Sequence, residues 1–242
     1  IGGYYDGQYG VVFYSTDGNI WTQSNSLPLK IENAGSVAFK DPADNIDKMW
    51  VIGGDYLFGS YFYDNTTIYS SSDGISWVAR GNVPAIWPNP GVVIFNNKIW
   101  VFSGTDLYSS PNGVNWTKEQ DQPGIGDWQQ VVVFNSKMWG MGWNLADISS
   151  DGITWTPTAK PNAPFDKSTV VVFNNKMWVI GGIDGAIISD KVYSSSDNGT
   201  TWTQTGTFPI PIWGSSAVVF KDPVDNIDKM WVIGSSNNEG YV

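Results

Sequence analysis

The chain has 242 residues and a formal net charge of −10, from 23 Asp and Glu against 13 Lys and Arg. Nucleic acid and an anionic membrane surface both demand a basic face, so this balance argues against either partner. With no Cys and no His, disulfides, thiolate chemistry, His-containing zinc sites and His acid–base catalysis are excluded, and no apolar run approaches the ~20 residues of a membrane-spanning helix.

Short apolar segments separated by turn residues run through the whole chain, as expected of many strands. Residues 1–27 carry IGGYYDGQYG and then two strand-like segments around YSTDGNIW (14–21). Residues 35–84 begin with SVAFKDPADNIDKMWVIGG (36–54) and continue to YSSSDGISW (69–77). The pattern returns over 90–120 as VVIFNNKIWVFSG (92–104) and YSSPNGVNW (108–116). It returns over 129–158 as VVVFNSKMWGMG (131–142) and ISSDGITW (148–155), and over 167–207 as VVVFNNKMWVIGG (170–182) and YSSSDNGTTW (193–202). Residues 215–242 hold a last copy of the first half, AVVFKDPVDNIDKMWVIG (217–234).

Both halves of the repeat have hairpin chemistry. Val-Val-Val-Phe is a buried strand of β-branched and aromatic residues. Asn-Asn or Asn-Ser tolerates the positive φ of a two-residue turn, and Lys-Met-Trp-Val-Ile-Gly-Gly is the returning strand. In the second half Asp-Gly marks the turn and the following Trp the outgoing strand. Each repeat thus supplies four antiparallel strands, A to D. The reading is an all-β, five-bladed β-propeller in a single domain over 1–242. Strands C and D from 1–27 and strands A and B from 215–242 would share the blade that closes the ring and removes exposed sheet edges.

The A–B hairpin with its terminal Gly-Gly resembles kelch-type repeats. The C–D hairpin resembles the Asp-box of sialidase-like propellers, Ser-x-Asp-x-Gly-x-Thr-Trp, matched by Ser195, Asp197, Gly199, Thr201 and Trp202. The copies at 15–21, 71–77 and 149–155 are one residue shorter between Asp and Gly, and the copy at 109–116 has Asn112 for Asp. The resemblance implies that the Ser and Asp side chains tie down the turn and that the Trp packs between blades, which makes Asp17, Asp73, Asp151 and Asp197 structural. It does not extend to sialidase activity, which needs three Arg where this chain has only Arg80, nor to a galactose-oxidase copper site, which needs Cys and His.

Function is expected on the side of the B–C and D–A loops, which vary while the A–B and C–D turns repeat. Six to eight residues before the strand-A Phe stand Trp87, Trp128, Phe165 and Trp213, with Glu32 in the remaining repeat. Asp127, Asp166, Gln129 and Gln130 accompany them. The B–C loops add Asp6, Asp55, Asp106, Asp147, Asp184 and Glu239, with Tyr56 and Tyr61. Flat aromatics beside carboxylates and amides suit a sugar, whose C–H face stacks on Trp while its hydroxyls bond to Asp and Gln. The competing reading is that each Trp is a plug between neighbouring loops.

The acidic A–B turns, Asp41, Asp44 and Asp47 in one and Asp222, Asp225 and Asp228 in the other, could ligate Ca²⁺ through clustered oxygens or cap themselves as Asp/Asn/Pro turns. Three functions follow as expectations. The first is a non-catalytic, extracellular or cell-surface module that binds a glycan or another polyhydroxylated ligand. The second is a kelch-type scaffold for a protein partner. The third is a glycoside hydrolase, for which two facing carboxylates would be needed, with Glu32, Glu119 and Glu239 as its only Glu.

Overall fold

The structure, a computed structural model, describes residues 4–5, 8–9, 12–14, 22–58, 61–86, 89–121, 130–142, 146–158, 166–221 and 226–233. Among these residues there are strands, turns and bends and no helix. The chain divides into two compact units, Ile1–Gly124 and Ile125–Val242.

The first unit holds two four-stranded antiparallel sheets. In one, Gly35–Asp41, Ile46–Ile52, Thr67–Ser71 and Val78–Asn82 lie in chain order. In the next, Gly91–Phe95, Lys98–Ser103, Asp106–Ser110 and Thr117–Asp121 do the same. The pair Phe13–Tyr14 and Thr22–Gln23 forms a separate two-stranded sheet. The second unit repeats the plan with Gln130–Phe134, Lys137–Met141, Ala146–Ser149 and Thr156–Pro157. Its second full sheet is Thr169–Phe173, Lys176–Ile180, Lys191–Ser195 and Thr203–Thr207, and Ser216–Lys221 pairs with Asp228–Ile233. Inside each unit, strand A of one sheet lies beside strand A of the next.

Turn chemistry explains the hairpins. The two central residues of the A–B turns, Asn96-Asn97, Asn135-Ser136 and Asn174-Asn175, all have φ between 48° and 57°. This doubly left-handed turn matches the twist of the flanking strands, and Asn tolerates it best after Gly. The C–D turns are held by two side chains each. Ser71 Oγ accepts the Gly74 N–H at 2.8 Å, while Asp73 Oδ1 accepts the N–H groups of Ile75 and Ser76 at 2.8 and 2.7 Å. Ser149 and Asp151 repeat this, with the N–H groups of Gly152, Ile153 and Thr154 at 2.7–2.8 Å. Asn112 Oδ1 accepts the Val114 and Asn115 N–H groups at 3.0 and 2.8 Å in the hairpin that lacks the Asp.

The core of each unit is built from equivalent repeat positions. Trp50, Ile68, Ile99 and Tyr108 form one cluster, with Phe39 and Trp116 against it. Phe134, Trp139, Met177, Tyr193 and Trp202 form its counterpart. The turn glycine of one sheet sits on the strand-B Trp of the sheet before. A Cβ on Gly113 would lie 2.3 Å from the Trp50 ring, and one on Gly199 would lie 2.7 Å from the Trp139 ring. The sequence therefore needs Gly there twice over, for a positive φ and for closeness.

Candidate functional site

The same packing logic positions the loops. Gly53, directly after a strand B, has φ 71° and would bring a Cβ within 2.5 Å of Ile86. Gly181, its counterpart, has φ 67° and would collide with the Ile212 carbonyl at 2.4 Å. The Gly-Gly that ends strand B thus admits the D–A loop of the following repeat, and Ile86 and Ile212 each precede the loop Trp, Trp87 and Trp213.

The B–C and D–A loops consequently meet within each unit. In the first, the segment Ile31–Glu32 pairs with Asp55–Phe58, and Asp55–Phe58 pairs with Tyr61–Asp64 as a three-stranded sheet. Asn89 N–H donates to the Asn33 carbonyl at 2.8 Å, and Asn33 Nδ2 donates to Asp55 Oδ1 at 3.1 Å. In the second unit, Ile183 N–H donates to the Asp166 carbonyl at 2.7 Å, and Gly182 N–H to that of Ile212 at 2.8 Å. Gly214 N–H donates to the Lys167 carbonyl at 2.8 Å, which draws two successive D–A loops together.

The proposed site residues fall into different settings. Trp213 is half-buried, and the Lys167 ammonium stands 4.4 Å from its ring centroid, so one ring face is already covered. Asp184 is exposed at the end of the short hairpin Ile183–Asp184 and Ile187–Ile188. Asp106 is tied to Lys118 at 2.8 Å and accepts the Tyr108 hydroxyl at 3.3 Å. Asp147 is fully buried on strand C, paired across to Gly140 and Pro157, so it reaches no solvent from this position. Glu32 is placed by its backbone opposite Asp55. Glu119 accepts the Ser109 hydroxyl and has Lys98 at 3.8 Å. Trp87, Trp128, Phe165, Asp127, Asp222, Asp225, Asp6, Gln129 and Glu239 lie outside the described residues.

In the acidic turn 41–47, cationic side chains stand where calcium was considered. Lys48 Nζ bridges Asp41 Oδ2 and Asp44 Oδ2 at 2.6 and 2.5 Å, and Arg80 reaches Asp41 at 2.5 Å. Burial pushes the Asp41 carboxyl up, but Lys48, the Ala43 N–H and Arg80 outweigh it and hold it below the usual 3.8. Asp47 and Asp228 are exposed. Among the described residues, no three His, Cys, Asp or Glu gather closely enough to hold a metal ion.

The sequence places Tyr56 and Tyr61 in a B–C loop; the structure places them on paired strands with further exposed aromatics. Phe58, Tyr61, Phe62 and Tyr63 are exposed on the two strands of the hairpin 55–64. The signal in the sequence is the run of aromatics on both sides of Gly59-Ser60, a pair that favours hairpin turns.

Comparison with known proteins addresses the architecture. Residues 89–180 match the model of the DUF6242 beta propeller domain. The solved structure titled "Structure of YjhT" superposes with a TM-score of 0.71 at 14% identity, covering 89% of this chain and 80% of that one. The fold is a β-propeller. No curated protein matches the sequence. The propeller scaffold accounts for the antiparallel four-stranded sheets and leaves chemistry to its loops.

Proposed function

We propose that this propeller is a non-catalytic binding module whose B–C and D–A loops recognise a glycan. The observation that carries the reading is the meeting of those loops in each unit, with the Asn33–Asp55 hydrogen bond and the Tyr56–Tyr63 stack in the first and the Trp213–Lys167 contact in the second. Rings and hydrogen-bonding groups side by side are what a sugar requires, because each pyranose has both an apolar C–H face and a polar rim. Trp213 is half-buried with Lys167 against its ring, and Asp166 and Asp184 add polar groups in the loops that meet there. Trp87, Trp128 and Phe165 take the equivalent sequence positions in the other repeats.

The proposal includes five blades. Four are the four-stranded sheets. The fifth is assigned from the sequence alone, in which 1–27 carries the C–D half and 215–242 the A–B half of one repeat. This assignment is supported by the repeat phase.

The test is a glycan array probed with the wild type and with a Trp87→Ala, Trp128→Ala, Trp213→Ala variant. Binding lost in the variant at an unaltered unfolding midpoint is the expected result. Binding that survives all three substitutions, or a wild type that binds no glycan, overturns the reading.

A further inference from the structure

We infer that the hairpin 55–64 is an aromatic platform for a neutral, unbranched polysaccharide, an inference that rests on the glycan-binding reading above. In the hairpin register, Tyr56 pairs with Tyr63 and Phe58 with Tyr61. Residues directly opposite share a face, and alternate residues on one strand do too. Tyr56, Phe58, Tyr61 and Tyr63 therefore form one surface. Tyr56 and Tyr63 stack with centroids 5.8 Å apart and 29° between planes, and Phe58 meets Tyr63 edge-on at 6.4 Å. Phe58 and Tyr61 are 72% exposed and Tyr63 48% exposed, while Tyr56 is half-buried at the base of the surface.

The hairpin is rigidly based. Asn65 is buried, and its Nδ2 donates to the Gly53 and Thr67 carbonyls at 2.8 and 2.9 Å. Its own N–H donates to the Gly54 carbonyl at 2.8 Å. The third strand, Ile31–Glu32, braces the other edge.

Size and charge choose the occupant. Two four-residue strands make a face about 13 Å long and about 10 Å wide. That is on the order of 130 Å², far below the ~800 Å² per partner of a standard protein interface. It suits two or three sugar rings laid end to end. Between Lys48 and Arg80 the chain has Asp55, Asp64 and Asp73 but no basic residue. With a net charge of −10, this segment repels acidic glycans and anionic bilayers. Aromatic rings lose little side-chain freedom on contact, which favours a flat ligand that makes few hydrogen bonds.

The experiment is retention of the whole chain on amorphous cellulose, chitin and mannan, with polygalacturonate and phosphatidylcholine vesicles as alternatives. Retention on at least one neutral polymer and none on polygalacturonate is expected. Phe58→Ala and Tyr61→Ala should each weaken it about tenfold, while Phe62→Ala, on the opposite face, should change it less than about twofold. No retention on any neutral polymer, equal loss with Phe62→Ala, or preference for the vesicles overturns the inference. If array binding depends on Trp213 while the hairpin variants bind as the wild type, the glycan reading stands and the platform falls. If neither the array nor the polymers bind, both fall.

Discussion

Replacing Gly199 with Ala tests how the sheets of the propeller are held together. Its φ is 65°, and a Cβ there would lie 2.7 and 3.1 Å from two atoms of the Trp139 ring. A left-handed conformation costs a non-glycine residue about 1–2 kcal/mol. Forcing a methyl into contact well inside the normal 3.5–4.0 Å separation adds about 1–3 kcal/mol of overpacking. Trp139 is 1% exposed and closely surrounded, so its ring has little room to retreat. The sum is about 2–5 kcal/mol, roughly 4–20 °C in unfolding midpoint for a chain of this size. Two glycines in the same unit separate the terms. Gly185 has φ 65° with nothing within 4 Å, so Gly185→Ala should cost only the backbone part, about 1–2 kcal/mol. Gly206 lies in strand Thr203–Thr207 with no such φ and nothing within 4 Å, so Gly206→Ala should be neutral or stabilising by about 0.5–1 kcal/mol. The assay is thermal and urea unfolding of the three variants beside the wild type. Gly199→Ala no more destabilising than Gly185→Ala would refute the claim that the turn glycine is required by the Trp of the preceding sheet. Gly113→Ala, with a Cβ 2.3 Å from Trp50, should be at least as damaging.

Four other outcomes follow from the hydrogen bonds. Asp73→Asn should preserve the fold at neutral pH, because Asn112 already accepts the same two N–H groups in its own hairpin, whereas Asp73→Ala removes their acceptor and should lower the urea midpoint below that of Asp73→Asn. The N–H groups of Ser76 and Ile75 and the Ser71 hydroxyl hold Asp73 down to about 2, and the Thr201 hydroxyl and N–H and the Ser195 hydroxyl hold Asp197 down to about 2, against an ordinary 3.8. A carboxyl lowered on folding stabilises in full above its unfolded value and loses that contribution as pH falls through the folded one. The midpoint should therefore drop between about pH 4 and pH 2, and less steeply in the Asp73→Asn, Asp197→Asn double variant. Ser136→Gly should raise the midpoint, since Ser136 holds φ 57° in a turn that favours Gly, by about 0.5–1 kcal/mol. Asn65→Ala leaves buried carbonyls of Gly53 and Thr67 without their donor and should cost about 1–3 kcal/mol, with faster hydrogen exchange confined to 53–67.

What the sequence revealed depended on repetition. The Asn-Asn turns, the Asp-Gly and Asn-Gly turns and the Lys-(Met/Ile)-Trp strands recur, so one copy vouches for another, and the described residues form antiparallel four-stranded sheets. The hairpin 55–64 has no counterpart at its length in the other repeats, so its aromatics were read as loop residues although their run on both sides of Gly59-Ser60 is strand-like. The Asp41–Arg80 ion pair joins residues 39 apart on strands A and D. No local spacing reveals that Arg80 faces this carboxylate. Asp147 was taken for a loop carboxylate because it follows strand B closely. Strand C begins one residue earlier, at Ala146, and its pairing carries Asp147 inside.

The distribution of acidic side chains shows where ligand chemistry is left over. Asp73, Asp151 and Asp197 spend their oxygens on their own turns, and Asp41 is neutralised by Lys48 and Arg80. Each of these carboxylates would have to give up existing bonds to meet a ligand, so the repeated turns, although rich in Asp, are poor binding surfaces. The B–C and D–A loops differ in kind. There the backbone hydrogen bonds are made between loops, Asp184 extends into solvent, and the rings of Phe58 and Tyr61 are more than two-thirds exposed. Groups whose bonding capacity is unspent within the fold are the ones available to a partner, and among the described residues Asp184 in a B–C loop is one of them.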